Sequence, residues 1–186
     1  MNLFLLDLNV EQSVAWHVDD HVNKIALEAL QVMSAGLFFR AESFVSFDAS
    51  AWYKHGLWNT EGRRSVARAY SPTHVGHPMS KWCMEPVNYM WTLWYVVQLC
   101  KEHKHRHGTI IQQWNVVSQM PRFDVPRDQL PTTFYAAVAE ELCTADELRA
   151  GKMVTPERAV ELYHLYYRQH KSHLHRWTKR ERPSWL

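Results

Sequence analysis

The stretch His17-Val-Asp-Asp-His21-Val-Asn-Lys24-Ile-Ala-Leu-Glu28-Ala-Leu-Gln31 decides the fold. Its polar positions His17, His21, Lys24, Glu28 and Gln31 recur at spacings of 4, 3, 4 and 3. At about 100° per residue they stay within roughly 80° of one another on a helix. Val14, Val18, Val22, Ile25, Ala29 and Val32 lie on one side of the stripe, and Trp16, Leu27 and Leu30 on the other. A helix apolar on both flanks is buried on both flanks. The stripe then faces a cleft rather than open water. Buried polar groups are costly unless partnered, so such a stripe is either a satisfied network or the wall of an active site.

Working outward, Asn9 followed by Gln12 resembles a capping-box start, which sets a helix over about 10–38, with a break admitted near Asp19-Asp20. Residues 2–6 read as a short strand or an extended buried lead-in. The region 41–76 lacks a sustained period and carries Trp52, Tyr53, Lys54, His55, Arg63, Arg64 and Arg68. Rings that stack on bases and arginines that pair with phosphates suit nucleic-acid contact; an ordinary surface insertion fits equally well. A second long helix is expected over about 80–107, restarted or kinked at Pro86 and ended by Gly108. Its face carries Trp91, Tyr95, Gln98, Glu102 and Arg106. Pro121, Pro126 and Pro131 mark a loop, with helix again over about 133–149. Thr155-Pro156 supplies an N-cap and first turn for a last helix over about 156–176.

The chain of 186 residues is long enough for one domain with a real core. Nine Trp, eight Tyr and seven Phe against six Gly point to aromatic-rich helical packing. The expected fold is all-α: a compact single-domain bundle over 1–186, with two long central helices, the irregular insertion 41–76 and a basic tail at 168–186. Cys83, Cys100 and Cys143 are odd in number and widely spaced, which argues against a disulfide framework and for a reducing compartment. The start MNLFLLDLN has no basic n-region and carries Asp7. Tyr89 to Cys100, the longest apolar stretch, is too short to span a bilayer. A cytoplasmic protein with no membrane partner is expected.

The formal net charge of +2 is too small for a protein that coats nucleic acid, but it permits a local basic surface. Arg168, Lys171, Arg176, Lys179, Arg180 and Arg182 oppose only Glu181 within 168–182. That asymmetry marks either a phosphate-backbone site or a solvated helix end favoured by its dipole.

Lys24 and Glu28 stand one turn apart, with Lys first, the weaker order for a simple salt bridge. A desolvated lysine is able to attack a sugar C1′ as a neutral amine. A neighbouring carboxylate stabilises oxocarbenium charge or shuttles protons. His17 and His21 form HxxxH, and His74 and His77 form HxxH. Both spacings suit a metal, but hydrogen-bonded histidines are the preferred reading and no metal is expected. There is no Gly-rich phosphate loop, Gly-x-Ser-x-Gly elbow or dinucleotide fingerprint, and no cofactor is expected.

The run from Asp19-Asp20-His21 through Lys24 and Glu28 to Gln31 resembles the first catalytic helix of the pyrimidine-dimer DNA glycosylase (endonuclease V-like) superfamily. There, an Asp-x-His or Asp-Arg-Arg start precedes a Glu, often with Lys four residues before it. His77-Pro78, Trp82, Tyr89, Glu102 and Arg106-His107-Gly108 resemble the second helix of bacterial and phage relatives. The end, Tyr163 through Trp177 and Arg182-Pro183-Ser184-Trp185, is similar to uncharacterised phage proteins beginning MNIF.

The resemblance implies a DNA glycosylase with or without abasic-site lyase action. Glu28 would be the catalytic carboxylate, with Lys24, His21 and His17 beside it. Gln31, His74, His77, Trp82, Asn88 and Arg106 would bind substrate, and Arg168, Lys171, Arg176, Lys179 and Arg180 the DNA backbone. The family nucleophile is the α-amine of a Thr exposed after Met removal. Here Asn2 follows Met1, and Met before Asn is usually retained. Met1's amine, Lys24 and water all remain open. Two other functions stay in play: a transferase that modifies or exchanges a base in phage-type modified DNA, and a non-catalytic nucleic-acid-binding protein.

Overall fold

The computed structural model describes residues 2–41, 70, 74, 76–126 and 129–186, with backbone only at 38–41. The described chain is mostly helical. The helices are α1 (Val10–Ala15), α2 (Asp19–Ala41), α3 (Pro78–Trp82), α4 (Pro86–His107), α5 (Gln113–Val117), α6 (Ala145–Arg149) and α7 (Pro156–His170). Two-residue strands β1 (Phe134–Tyr135) and β2 (Met153–Val154) pair antiparallel, Phe134 with Val154 and Tyr135 with Met153. The aromatic and basic residues expected to contact nucleic acid between 52 and 68 lie outside the described residues.

The long helices α2 and α4 form the central pair. Gly36 of α2 lies against the α3–α4 joint: a Cβ there would stand 3.1 Å from the Cys83 carbonyl oxygen. Leu3, Phe4, Leu5 and Leu6 form no strand and are all buried. Extended buried backbone needs partners, and side chains supply them. The Leu6 N–H donates to Ser13 Oγ at 2.9 Å, and the Leu6 carbonyl lies 2.7 Å from His164 Nε2.

Several boundaries follow the expected local chemistry. Asn9 accepts from the Gln12 N–H, and Thr155 from the Arg158 N–H. Pro86 opens α4 rather than kinking it, and Gly108 closes α4 at φ 74°.

Three expectations are corrected. The helix expected over 10–38, with a break admitted near Asp19-Asp20, is two helices, and the break falls at residues 16–18, just before Asp19. The break is held by Arg106, whose guanidinium takes the carbonyls of Ala15 and His17 at 2.9 and 2.8 Å. These are helix-end acceptors that α1 cannot satisfy itself. The helix expected over 133–149 begins instead as β1, with a 3₁₀ turn at Glu140–Leu142 before α6. Extended backbone suits the β-branched and aromatic run Thr132-Thr133-Phe134-Tyr135. It also seats Phe134 against Trp82, Trp91 and Tyr163. The last helix stops at His170 rather than 176. A 3₁₀ turn at Ser172–Leu174 then swings the tail back toward the start of α2.

Candidate active site

The polar stripe changes character along its length. Its first members are sealed. His17 lies in the break between α1 and α2, fully buried. Its Nδ1 stands 2.8 Å from the Ser13 carbonyl and its Nε2 2.7 Å from the Tyr95 hydroxyl. A carbonyl only accepts, so Nδ1 carries the proton, and the single Tyr95 hydroxyl proton is shared between His17 Nε2 and the Phe4 carbonyl at 3.0 Å. Burial lowers the His17 pKa to about 4. His21 Nδ1 lies 2.6 Å from the Tyr167 hydroxyl, and the Phe4 ring stacks on its imidazole at 4.5 Å. Burial, reinforced by His17, lowers its pKa to about 3. Both rings are neutral at pH 7 and form part of the packed interior.

The stripe opens at its second half. Lys24 is two-thirds exposed, not desolvated as the sequence suggests, and its Nζ stands 3.8 Å from Glu28 Oε1. Glu28 keeps 18% of its side chain exposed. Its other oxygen, Oε2, accepts the backbone N–H of Asn2 at 2.7 Å. Asn2 is itself gripped twice. Its Nδ2 donates to the Ala137 carbonyl at 2.8 Å, and its Oδ1 accepts from the buried Tyr163 hydroxyl at 2.8 Å. That hydroxyl also accepts the Ala137 N–H at 3.0 Å. The lead-in, the β1 segment and α7 thus converge to hold one carboxylate that remains open to solvent. Gln31 lies one turn further, half-buried.

His77 lies within electrostatic reach of Glu28. It precedes α3 as its N-cap, with Nδ1 accepting the Met79 N–H at 3.1 Å. The Tyr135 ring meets it edge-on at 5.7 Å. Burial lowers the His77 pKa, and the Glu28 charge acts in the opposite direction. His74 is exposed, at a left-handed φ of 57°.

The remaining substrate-binding candidates are engaged in the framework. Trp82 is buried and donates Nε1–H to the Thr133 carbonyl at 2.7 Å. Asn88 donates to the Trp82 carbonyl at 2.8 Å. Arg106 has no exposed side chain and is paired with Asp19 at 2.9 Å and Glu102 at 2.7 Å. Burial raises the pKa of both carboxyls, but hydrogen bonds outweigh it and hold each below its usual value. Asp19 receives Thr178 and Arg106, and Glu102 receives Arg180 and Arg106.

The basic tail joins the same network. Arg180 grips Glu102 with both Nε and Nη2, at 2.8 and 2.6 Å. Arg176 pairs with Asp19 at 3.0 Å, and Lys179 donates to the His105 carbonyl at 3.0 Å. Arg168 is exposed, its Nε 3.4 Å from the His164 carbonyl, and Lys171 sits over the Tyr166 ring at 5.1 Å. Five residues proposed for the DNA backbone therefore divide into three that staple the tail and two at the exposed end of α7.

Sequence reasoning did not find Asn2 or assign a role to Tyr163. The available signal was a lone polar residue ahead of four apolar ones, Leu3 to Leu6. A separate cleft of about 470 Å³, lined by Met90, Trp91, Trp94, Arg122 and Leu130, contains none of the stripe. Among the described residues no cluster of His, Cys, Asp or Glu suits a metal, and no helix is long and apolar enough to cross a membrane. No family profile, characterised protein or solved structure matches the chain.

Proposed function

We propose that this chain is an enzyme acting at the glycosidic bond of a damaged or modified nucleotide in DNA, in the manner of the pyrimidine-dimer glycosylase superfamily that its stripe resembles. One observation carries the reading: Glu28 is a fixed, solvent-reached carboxylate, held by the Asn2 amide at 2.7 Å, with an ammonium 3.8 Å away. A carboxylate so placed is able to stabilise positive charge developing at a sugar C1′, or to accept the proton of an attacking nucleophile. An extrahelical nucleotide presents C1′ to such a site. The sealed His17 and His21 support the wall from behind and need not touch substrate.

The test is incubation with ultraviolet-damaged, phage-modified and unmodified duplex DNA, reading released bases by mass spectrometry. Glu28→Gln keeps an acceptor for the Asn2 amide and removes the charge. It is expected to keep the fold and lose at least about two orders of magnitude in rate. Near-wild-type release would remove Glu28 from the chemistry. Borohydride trapping followed by peptide mapping identifies an amine nucleophile. Release without an adduct identifies water. Turnover only with an added donor identifies transfer.

A further inference from the structure

We infer that His77 serves the Glu28 site as a fixed neutral donor: Nδ1 caps α3, and the Nε2–H binds the base that leaves. This rests on the glycosidic reading above and assigns the second half of that chemistry. The cap decides the tautomer. Nδ1 accepts the Met79 N–H at 3.1 Å, so it holds no proton, and the single proton of the neutral ring sits on Nε2. Charging the ring requires a proton on Nδ1 and breaks the cap. Burial acts in the same direction, since desolvation lowers the His77 pKa and the N-terminal amine and His74 lower it further, while Glu28 on α2 opposes them. Tyr135 of β1 packs edge-on against the ring at 5.7 Å and fixes its plane. Among the described residues, none forms a hydrogen bond with Nε2.

The pairing matches what glycosidic cleavage requires. The C1′–N bond breaks and its electron pair leaves with the base. C1′ gains positive charge, faced by the Glu28 carboxylate. The base gains negative charge, delocalised onto an acceptor beside the glycosidic nitrogen, where a neutral N–H donor stabilises it. With water as nucleophile, its oxygen bonds C1′, its proton passes to Glu28, and the departing base takes that proton. An imidazolium at 77 would instead neutralise Glu28. A neutral imidazole leaves the carboxylate charge directed at C1′. The substrate class that follows is a nucleotide whose base carries such an acceptor and leaves as an anion.

Two substitutions separate the ring nitrogens. Asn carries its oxygen where Nδ1 lies and is a strong N-cap; Gln reaches Nε2 but caps poorly. His77→Asn is expected to keep the thermal midpoint and lose about 100-fold in base release from whichever DNA of the panel the wild type cleaves. His77→Gln is expected to lower the midpoint and retain more activity than Asn. Nitrogen-15 NMR of the free protein is expected to show Nε2–H with bare Nδ1 at pH 7. An Nδ1–H tautomer or a cation at pH 7 overturns the inference. So does wild-type release by His77→Asn on DNA that Glu28→Gln no longer processes, an outcome that leaves the glycosidic reading standing. Absence of base release by the wild type from every DNA overturns both.

Discussion

Arg180 reaches Glu102 across seventy-eight residues of sequence and binds it with two nitrogens, Nη2 at 2.6 Å and Nε at 2.8 Å. The same carboxylate accepts from Arg106, whose side chain is fully buried. A basic tail that looks like a phosphate-binding surface in the sequence is thus anchored to the bundle by the bundle's own acids. Glu102→Ala leaves Arg106 short of a partner in the interior. Such a break typically costs about 3–5 kcal/mol. Urea unfolding is the measurement, and a loss below about 1 kcal/mol would show that the network relaxes around the gap.

If the exposed end of α7 meets DNA, Arg168 and Lys171 are the cations placed to do so. Replacing both with Ala should flatten the logarithmic salt dependence of duplex binding by about 0.9 for each phosphate no longer neutralised. The weakening should be equal on unrelated sequences, because phosphates carry no base information. Arg180→Ala should register chiefly as a lower unfolding midpoint. An unchanged slope in the Arg168, Lys171 double variant removes this end from the interface.

Acid should destabilise the fold from near neutrality. His17 and His21 are neutral when folded, with pKa values of about 4 and about 3 against about 6.5 when unfolded. The unfolded chain therefore binds more protons between those limits, and stability rises with pH through that window. The contribution is complete above pH 6.5 and is lost as pH falls toward 4 and then 3. His17 alone accounts for something on the order of 3 kcal/mol. Asp19 and Glu102, held below their usual values, add loss in the same direction once pH falls below the ordinary carboxylate range. Urea midpoints at pH 7, 6 and 5 should fall in order; a flat series would contradict neutral burial of both rings.

Tyr163→Phe should cost about 1–3 kcal/mol, because it orphans the Ala137 N–H and the Asn2 Oδ1 together. It should also slow base release, since Asn2 is the group that fixes Glu28. A stability loss with unchanged turnover would show that the Asn2 amide keeps its place without the tyrosine.

The sequence carries its local instructions openly. The Asn9 and Thr155 caps, the Pro86 restart and the Gly108 stop each depend on residues within a turn of the boundary, and each can be read from neighbours. The sequence admits a break near Asp19-Asp20, but what holds the one at 16–18 cannot be read from neighbours, because the guanidinium belongs to residue 106. Likewise, nothing near Arg176 or Arg180 says that Asp19 and Glu102 wait for them. The stripe shows its helical face, yet periodicity does not distinguish the sealed His17 from the open Glu28. That division depends on Tyr95 and Tyr167 covering one end, while Asn2 holds the other.

The buried lead-in bears on how the protein comes into being. The acceptor at Leu6 and its partner His164 lie 158 residues apart, so the ribosome makes the first long before the second exists. At about 5–20 residues per second, the interval is roughly 8–32 s. Throughout it, Leu3-Phe4-Leu5-Leu6 has Ser13 for the Leu6 N–H but lacks the α7 side of its seat, and that apolar edge stays open. Completion of the interior is thus a late, long-range event. Yield in a cell should depend on whatever shields that edge until α7 arrives.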